Sequence, residues 1–169
     1  MIRNHRYLLI VLIALYGIVW MACTQQRQPC LTPKIAILNV ECMHKTSDTG
    51  TVFVDTALPH AVFLALTDSG ARGGYYPQQS LFTLSLSPLS DTCMWAFRTD
   101  TMAHIYDTIT FYYKRNLQFL SNACGYTYFY TLTSVYAKGS MIDSVHITNT
   151  SVTNNVNTKH LQIYIHPDF

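Results

Sequence analysis

Apolar residues recur at every second position through much of this chain, and no stretch after residue 23 carries a helical period. In "KIAILNVEC" Ala36, Leu38, Val40 and Cys42 share one face. Ile109, Phe111 and Tyr113 do the same in "DTITFYYKR", as do Leu161, Ile163 and Ile165 in "HLQIYI". Side chains of a strand alternate between two faces, so this pattern describes strands with one buried face. Candidate strands fall near 34–43, 51–57, 60–67, 80–86, 93–98, 107–114, 117–121, 126–136, 141–149 and 160–166, punctuated by Asn, Asp, Gly, Ser and Pro. Short strands at this spacing predict an all-β fold: an antiparallel β-sandwich, immunoglobulin-like or related, of about 8–10 strands. "ARGGYYPQQS" and "SVTNNVNTKH" interrupt the pattern and read as exposed loops.

The N-terminus sets the expected compartment. Arg3 and Arg6 precede a run from Tyr7 to Ala22 that has no charge and no polar amide, and Cys23 closes it. That run of 16 residues is shorter than the roughly 20 needed to span a bilayer as a helix, which favours a signal peptide. A cysteine after the apolar run, with small Ala22 before it, resembles a bacterial lipobox, although Trp20 stands where an aliphatic residue is usual. In such signals the cysteine is lipidated and becomes the new N-terminus. The expected organisation is a lipoprotein signal peptide at 1–22, a short membrane tether at 23–32 and one domain at 33–169. The expected attachment is palmitate or a similar acyl chain on Cys23, with no other cofactor.

Loss of residues 1–22 lowers Lys plus Arg from 11 to 9, against 9 Asp plus Glu, so the mature chain is formally neutral. A neutral domain lacks the basic footprint of a nucleic-acid binder. The remaining 147 residues fit one domain.

Motifs for catalysis are weak. "SDTGT" at Asp48 and "TDSGA" at Asp68 resemble aspartic-protease triplets, but that chemistry needs two symmetry-related lobes, and these lie 20 residues apart. Turns are the ordinary reading of Asp with Gly. Cys42 and His44 in "ECMH" are accompanied by His60, His104, His146, His160 and His166, without the paired spacing of a zinc site. No nucleophile elbow, phosphate loop or dinucleotide fingerprint is present. The expectation is a non-enzymatic protein with no metal.

Seven of the eight aspartates precede Ser or Thr. "DTA", "DTM", "DTI" and "DSV" look like the O-glycosylation sequon of Bacteroidota, which would modify Thr56, Thr101, Thr108 and Ser144. Turns at strand ends explain the same dipeptides equally well.

Several of these features resemble a family of lipoproteins of unknown function found in Bacteroidota. The resembling elements are Cys30 and Pro33 in "CLTPKIAIL", "SPL" at 87–89, "ITFYYKRNLQFLSNACGYTYFY" with its Tyr-Lys/Arg, Ser and Cys-Gly-Tyr elements, "IDSVHITNTSV" and the terminal "HLQIYI". The resemblance implies an extracytoplasmic β-sandwich without established catalytic residues. In an oxidising compartment four further cysteines read as two disulfides. The resemblance implies Cys30–Cys124, with Cys42–Cys93 as the second bridge; the rival arrangement joins Cys30 to Cys42 and Cys93 to Cys124. "TQQRQ" after Cys23 lacks the acidic residues that often direct such lipoproteins outward, which favours the periplasmic face of the outer membrane over the cell surface.

The expected role is a lipid-anchored interaction module that docks on an outer-membrane protein, as an accessory subunit of an envelope-biogenesis complex would. Arg72, Tyr75 and Tyr76 in the first loop are the candidate contact. The alternative is a glycan-binding lipoprotein using Tyr75, Tyr76 and Trp95, although Trp95 reads more naturally as core.

Overall fold

The computed structural model describes residues 16, 29–45, 53–55, 57–66, 73–99 and 105–166. The chain divides into two units, Met1–Leu31 and Thr32–Phe169. In the first, Tyr16 is helical and exposed. The expected signal peptide, Cys23, the tether up to residue 28, both Asp-Ser/Thr-Gly triplets, Thr56, Arg72, Thr101 and His104 lie outside the described residues. No helix among the described residues is long and apolar enough to cross a membrane.

The second unit is an all-β sandwich with eleven strands among the described residues: β1 (Leu38–Lys45), β2 (Phe53–Asp55), β3 (Leu58–Ala65), β4 (Gly74–Gln79), β5 (Leu81–Leu84), β6 (Thr92–Arg98), β7 (Asp107–Ser121), β8 (Gly125–Lys138), β9 (Ile142–Ile147), β10 (Ser151–Val152) and β11 (Leu161–Ile165). One sheet runs β2-β1-β11-β9, with β5 also paired to β1, and the other runs β10-β8-β7-β6-β3-β4. β1 has two partners on one side: Leu38–Glu41 pair with β5 and Met43–Lys45 with β2. β1 and β11 are parallel, whereas the other pairings are antiparallel.

The alternation seen in the sequence is what builds the core. Leu38, Val40 and Cys42 from β1 and Leu161, Ile163 and Ile165 from β11 meet Phe63, Trp95, Phe97, Ile109 and Phe111 from the other sheet in one buried cluster. Phe63 lies 4.9 Å from Phe82 and 4.8 Å from Phe97, ring to ring. Burying a side chain of this size stabilises a fold by about 1.5–3 kcal/mol. Trp95 is inside, as expected of a core residue.

The strand number departs from expectation in three places. The runs 107–114 and 117–121 are one continuous strand, β7. "SVTNNVNTKH" begins with the two-residue β10. "GYYPQQ" forms β4, not an exposed loop. β4 is an edge strand, and its Pro77 pairs opposite His60 without needing a ladder N–H on the open side.

The turn between β8 and β9 carries the chain from one sheet to the other. Asp107, wholly buried, accepts hydrogen bonds from the backbone N–H groups of Ser140 (2.9 Å), Met141 (2.8 Å) and Ile142 (2.8 Å). Gly139 precedes them at φ 152°, where a Cβ would sit 1.8 Å from Asp107 Oδ1.

A candidate docking surface on the β7–β8 hairpin

β7 and β8 pair from Thr108 opposite Lys138 to Ser121 opposite Gly125, with register shifts after Tyr112 and after Phe119. Up to Tyr113, β7 alternates buried residues with half-buried or exposed ones; from Lys114 to Phe119 every residue is exposed. The hairpin therefore outruns the opposing sheet, and at about 3.3 Å per residue the distal part extends roughly 20 Å beyond Tyr113.

Cross-strand partners share a face, so the core face can be followed along the hairpin. It carries Tyr113 opposite Leu132, Arg115 opposite Tyr130, Leu117 opposite Tyr128 and Phe119 opposite Tyr126. Tyr113, Leu132 and Tyr130 are buried, whereas Leu117 is 58%, Phe119 53% and Tyr126 66% exposed. Phe119 and Tyr126 remain in contact, ring centroids 5.2 Å apart. The same face that makes the core thus continues as an open strip of aromatic and aliphatic side chains. Tyr126 and Tyr128 also line a groove of about 390 Å³ with Ala36, Leu86 and Pro88. Residues 108–138 contain Lys114, Arg115 and Lys138 and no Asp or Glu.

The base of the hairpin is clamped by the "SPL" segment. Tyr113 Oη accepts from Ser87 N–H (2.9 Å) and donates to Ser87 C=O (3.1 Å). Tyr130 Oη donates to Leu86 C=O at 3.3 Å, and the two tyrosine rings meet edge to face at 5.3 Å. Arg115 donates from Nε to Asp91 Oδ1 (2.6 Å) and from Nη1 to Pro88 C=O (2.9 Å). Burial raises the Tyr113 hydroxyl well above the usual phenol range and pushes that of Tyr130 up as well. They therefore act as neutral hydrogen-bonding groups, not as bases.

At the far end, Ser121 Oγ accepts from Cys124 N–H at 3.0 Å, and Gly125 adopts φ 73°. Among the described residues other than its chain neighbours, nothing lies within 4 Å of a Cβ built on Gly125. The left-handed backbone is therefore what the turn asks of this glycine. Cys30 and Cys124 are disulfide-bonded. The expected bridge between Cys42 and Cys93 is absent: both are fully buried thiols. Each sits at a core-facing position of a different sheet and packs as a small apolar residue. Burial pushes the Cys93 thiol up, offset in part by hydrogen bonds to Tyr113 and to the Ser87 backbone. A buried protonated thiol is a poor nucleophile.

The other sequence-derived candidates are dispersed. Of the proposed contact loop, Tyr75 is exposed on β4, its hydroxyl 2.5 Å from His60 Nδ1 and its ring stacked on that imidazole at 5.9 Å. Tyr76 turns inward, edge-on to Phe82 at 5.5 Å and to Phe63 at 6.2 Å. With Trp95 also buried, two of the three rings considered for a glycan platform serve the core. Thr108 is half-buried in β7 between β6 and β8, and its Asp107 is engaged in the turn described above. Ser144 is exposed on β9 at the sheet edge. Among the described residues no group of three or more His, Cys, Asp or Glu is arranged to hold a metal.

The hairpin strip was hidden in the sequence because exposure beyond Tyr113 depends on where the opposing sheet stops. One signal was available: "YYKRNLQFL" has no Gly or Pro to break it, so 107–121 could be read as one strand.

No curated protein and no solved structure matches this chain. A family model matches residues 67–165, more than half of the chain, from just before β4 to the end of β11 with the hairpin and its clamp inside. The chain belongs to DUF6452, a family of unknown function.

Proposed function

We propose that this protein is a lipid-anchored, non-enzymatic interaction module of the outer membrane, held on its periplasmic face and docked on a protein of that same membrane. An accessory subunit of an envelope-biogenesis complex is the role that fits. The observation that carries the reading is the disulfide between Cys30 and Cys124. If Cys23 bears the acyl chains, seven residue steps lie between the bilayer and a covalent bond to the sandwich. Fully extended, they reach at most about 25 Å, and Pro29 narrows the conformations available at their end. A domain on so short a tether meets partners embedded in or pressed against its own membrane, unlike carriers on long flexible linkers.

Radiolabelled palmitate should enter the wild type and not Cys23→Ala. Affinity purification from solubilised outer membrane should recover a stoichiometric membrane protein. Inserting about twenty Gly/Ser residues between Gln25 and Gln28 should lower its occupancy, because effective concentration falls with tether length. Recovery of soluble periplasmic proteins alone, unaffected by the insertion, would refute the reading.

A further inference from the structure

We propose that the open strip of Leu117, Phe119, Tyr126 and Tyr128 is a lipid-contact surface, so that the tip of the β7–β8 hairpin rests in the headgroup region of the membrane carrying the anchor. The inference deepens the anchored reading above and rests on it.

Covalent connectivity supplies the first argument. Cys124 closes the hairpin turn, five residues after Phe119 and two before Tyr126, and it is bonded to Cys30. The tether spans at most about 25 Å from an acylated Cys23 to Cys30, and a disulfide adds roughly 6 Å between Cα atoms. The hairpin turn and the chain that follows Cys30 directly are therefore the parts of the sandwich tied to the bilayer by the shortest paths. Tyr113, at the clamped base, lies roughly 26 Å from the turn along the strand.

Side-chain chemistry supplies the second. The strip ends in an aromatic pair, Phe119 with Tyr126, and carries a further tyrosine and a leucine, all exposed. Tyrosine, with an apolar ring and a hydroxyl tip, is enriched where hydrocarbon meets water. Exposed Lys114 lies on the opposite face of the hairpin, and no acidic residue occurs in 108–138, so nothing in these two strands repels anionic headgroups. A protein partner could also cover an apolar strip. The tether, however, leads to lipid in the first instance, and lipid contact would hold the domain in one orientation against the membrane for the docking described above.

The test uses the full chain, purified from membranes and reconstituted in phosphatidylethanolamine/phosphatidylglycerol vesicles with and without brominated acyl chains. Phe119→Trp and Tyr126→Trp each place a reporter on the strip; both positions are exposed, so the core is not disturbed. Leu64→Trp, exposed on β3, is the control. Relative to wild type, the added emission at 119 or 126 should be quenched by brominated lipid and shifted to the blue, while that at 64 should not. Palmitate incorporation, measured on the same samples, reports the anchor separately. An acylated chain whose added tryptophans are quenched at neither 119 nor 126 overturns the lipid assignment. So does quenching equal to that at 64. If a photocrosslinker at 119 then captures an outer-membrane protein, the strip is a protein contact instead. Absence of palmitate removes the anchored reading itself.

Discussion

Asn39 and His160 hold each other across 121 positions of sequence. The Asn39 N–H donates to His160 Nδ1 at 3.1 Å, and the His160 N–H donates to the Asn39 carbonyl at 3.0 Å. His160 Nε2 lies 3.1 Å from the Ser151 carbonyl. A backbone N–H can only donate and a carbonyl only accept, so the ring is neutral with its proton on Nε2. The Asn39 amide meanwhile donates to the carbonyls of Val156 (2.7 Å) and Thr158 (2.9 Å). Lys159 pairs with Glu41, which is buried and also accepts from Gln162 at 3.2 Å. The Asn-rich segment after β10 is thus fastened along β1, where it covers Asn39 and Glu41, polar side chains that β1 turns away from the core.

This arrangement makes stability depend on pH. Burial holds the His160 pKa below the usual 6.5, against a smaller opposing effect of the Ser151 carbonyl. The unfolded chain takes up a proton near pH 6.5 that the folded chain refuses, so stability falls as pH drops through that value and levels off below the folded pKa. One proton limits the slope to about 1.4 kcal/mol per pH unit. Urea midpoints of wild type and His160→Asn at pH 8, 6.5 and 5.5 should converge as pH falls. A constant gap across that range would show that His160 does not titrate on unfolding.

Asp107 and Gly139 form a second fixed point. Gly139→Ala drives a methyl group into the Asp107 carboxylate, and Asp107→Ala strips acceptors from three backbone N–H groups at the crossing between sheets. Each should cost about 3 kcal/mol or more. Because both act on one contact, the double variant should cost less than the sum. Thermal melts of the four proteins check this; full additivity would mean that the two residues act independently.

How much of this was visible in the sequence follows from what is local. The core faces of β1, β7 and β11 were legible because alternation at Leu38/Val40, Ile109/Phe111 and Leu161/Ile163 is a property of each segment alone. β4 was hidden because Gly74, Pro77 and two glutamines spell a loop, and an edge position is what lets such a composition pair. Cys42 illustrates competing arguments. Its place in the Ala36-Leu38-Val40 alternation already described a packed core side chain, whereas the compartment argued for a bridge. Local packing prevailed.

Tyr113→Phe tests the clamp at the base of the hairpin. Its hydroxyl satisfies both the N–H and the C=O of buried Ser87, so removing one oxygen strands two backbone groups at an expected cost of about 1–3 kcal/mol. Chemical denaturation of the variant measures it. Unchanged stability would mean that water replaces the hydroxyl.

The cysteines give the most direct check. Cys30–Cys124 closes a loop of about 94 residues, for which the chain-entropy model gives somewhat over 4 kcal/mol, although bridges of this kind more often contribute about 2–4. Cys30→Ser, Cys124→Ser and the double variant should therefore lose similar stability, and reductant should lower the wild-type melting temperature while leaving the variants unmoved. Cys42 and Cys93 should behave oppositely. Buried in the core and, for Cys93, held protonated by burial, they should resist alkylation in the native state and react on denaturation without prior reduction. Non-reducing peptide mapping after alkylation reads all of this in one experiment: a peptide joining residues 30 and 124, with alkyl groups on 42 and 93 from denatured samples alone. A peptide joining 42 to 93, or 30 to 42, would mean that the oxidised protein packs its two sheets differently. The position of the hairpin turn on the tether would then have to be reconsidered with it.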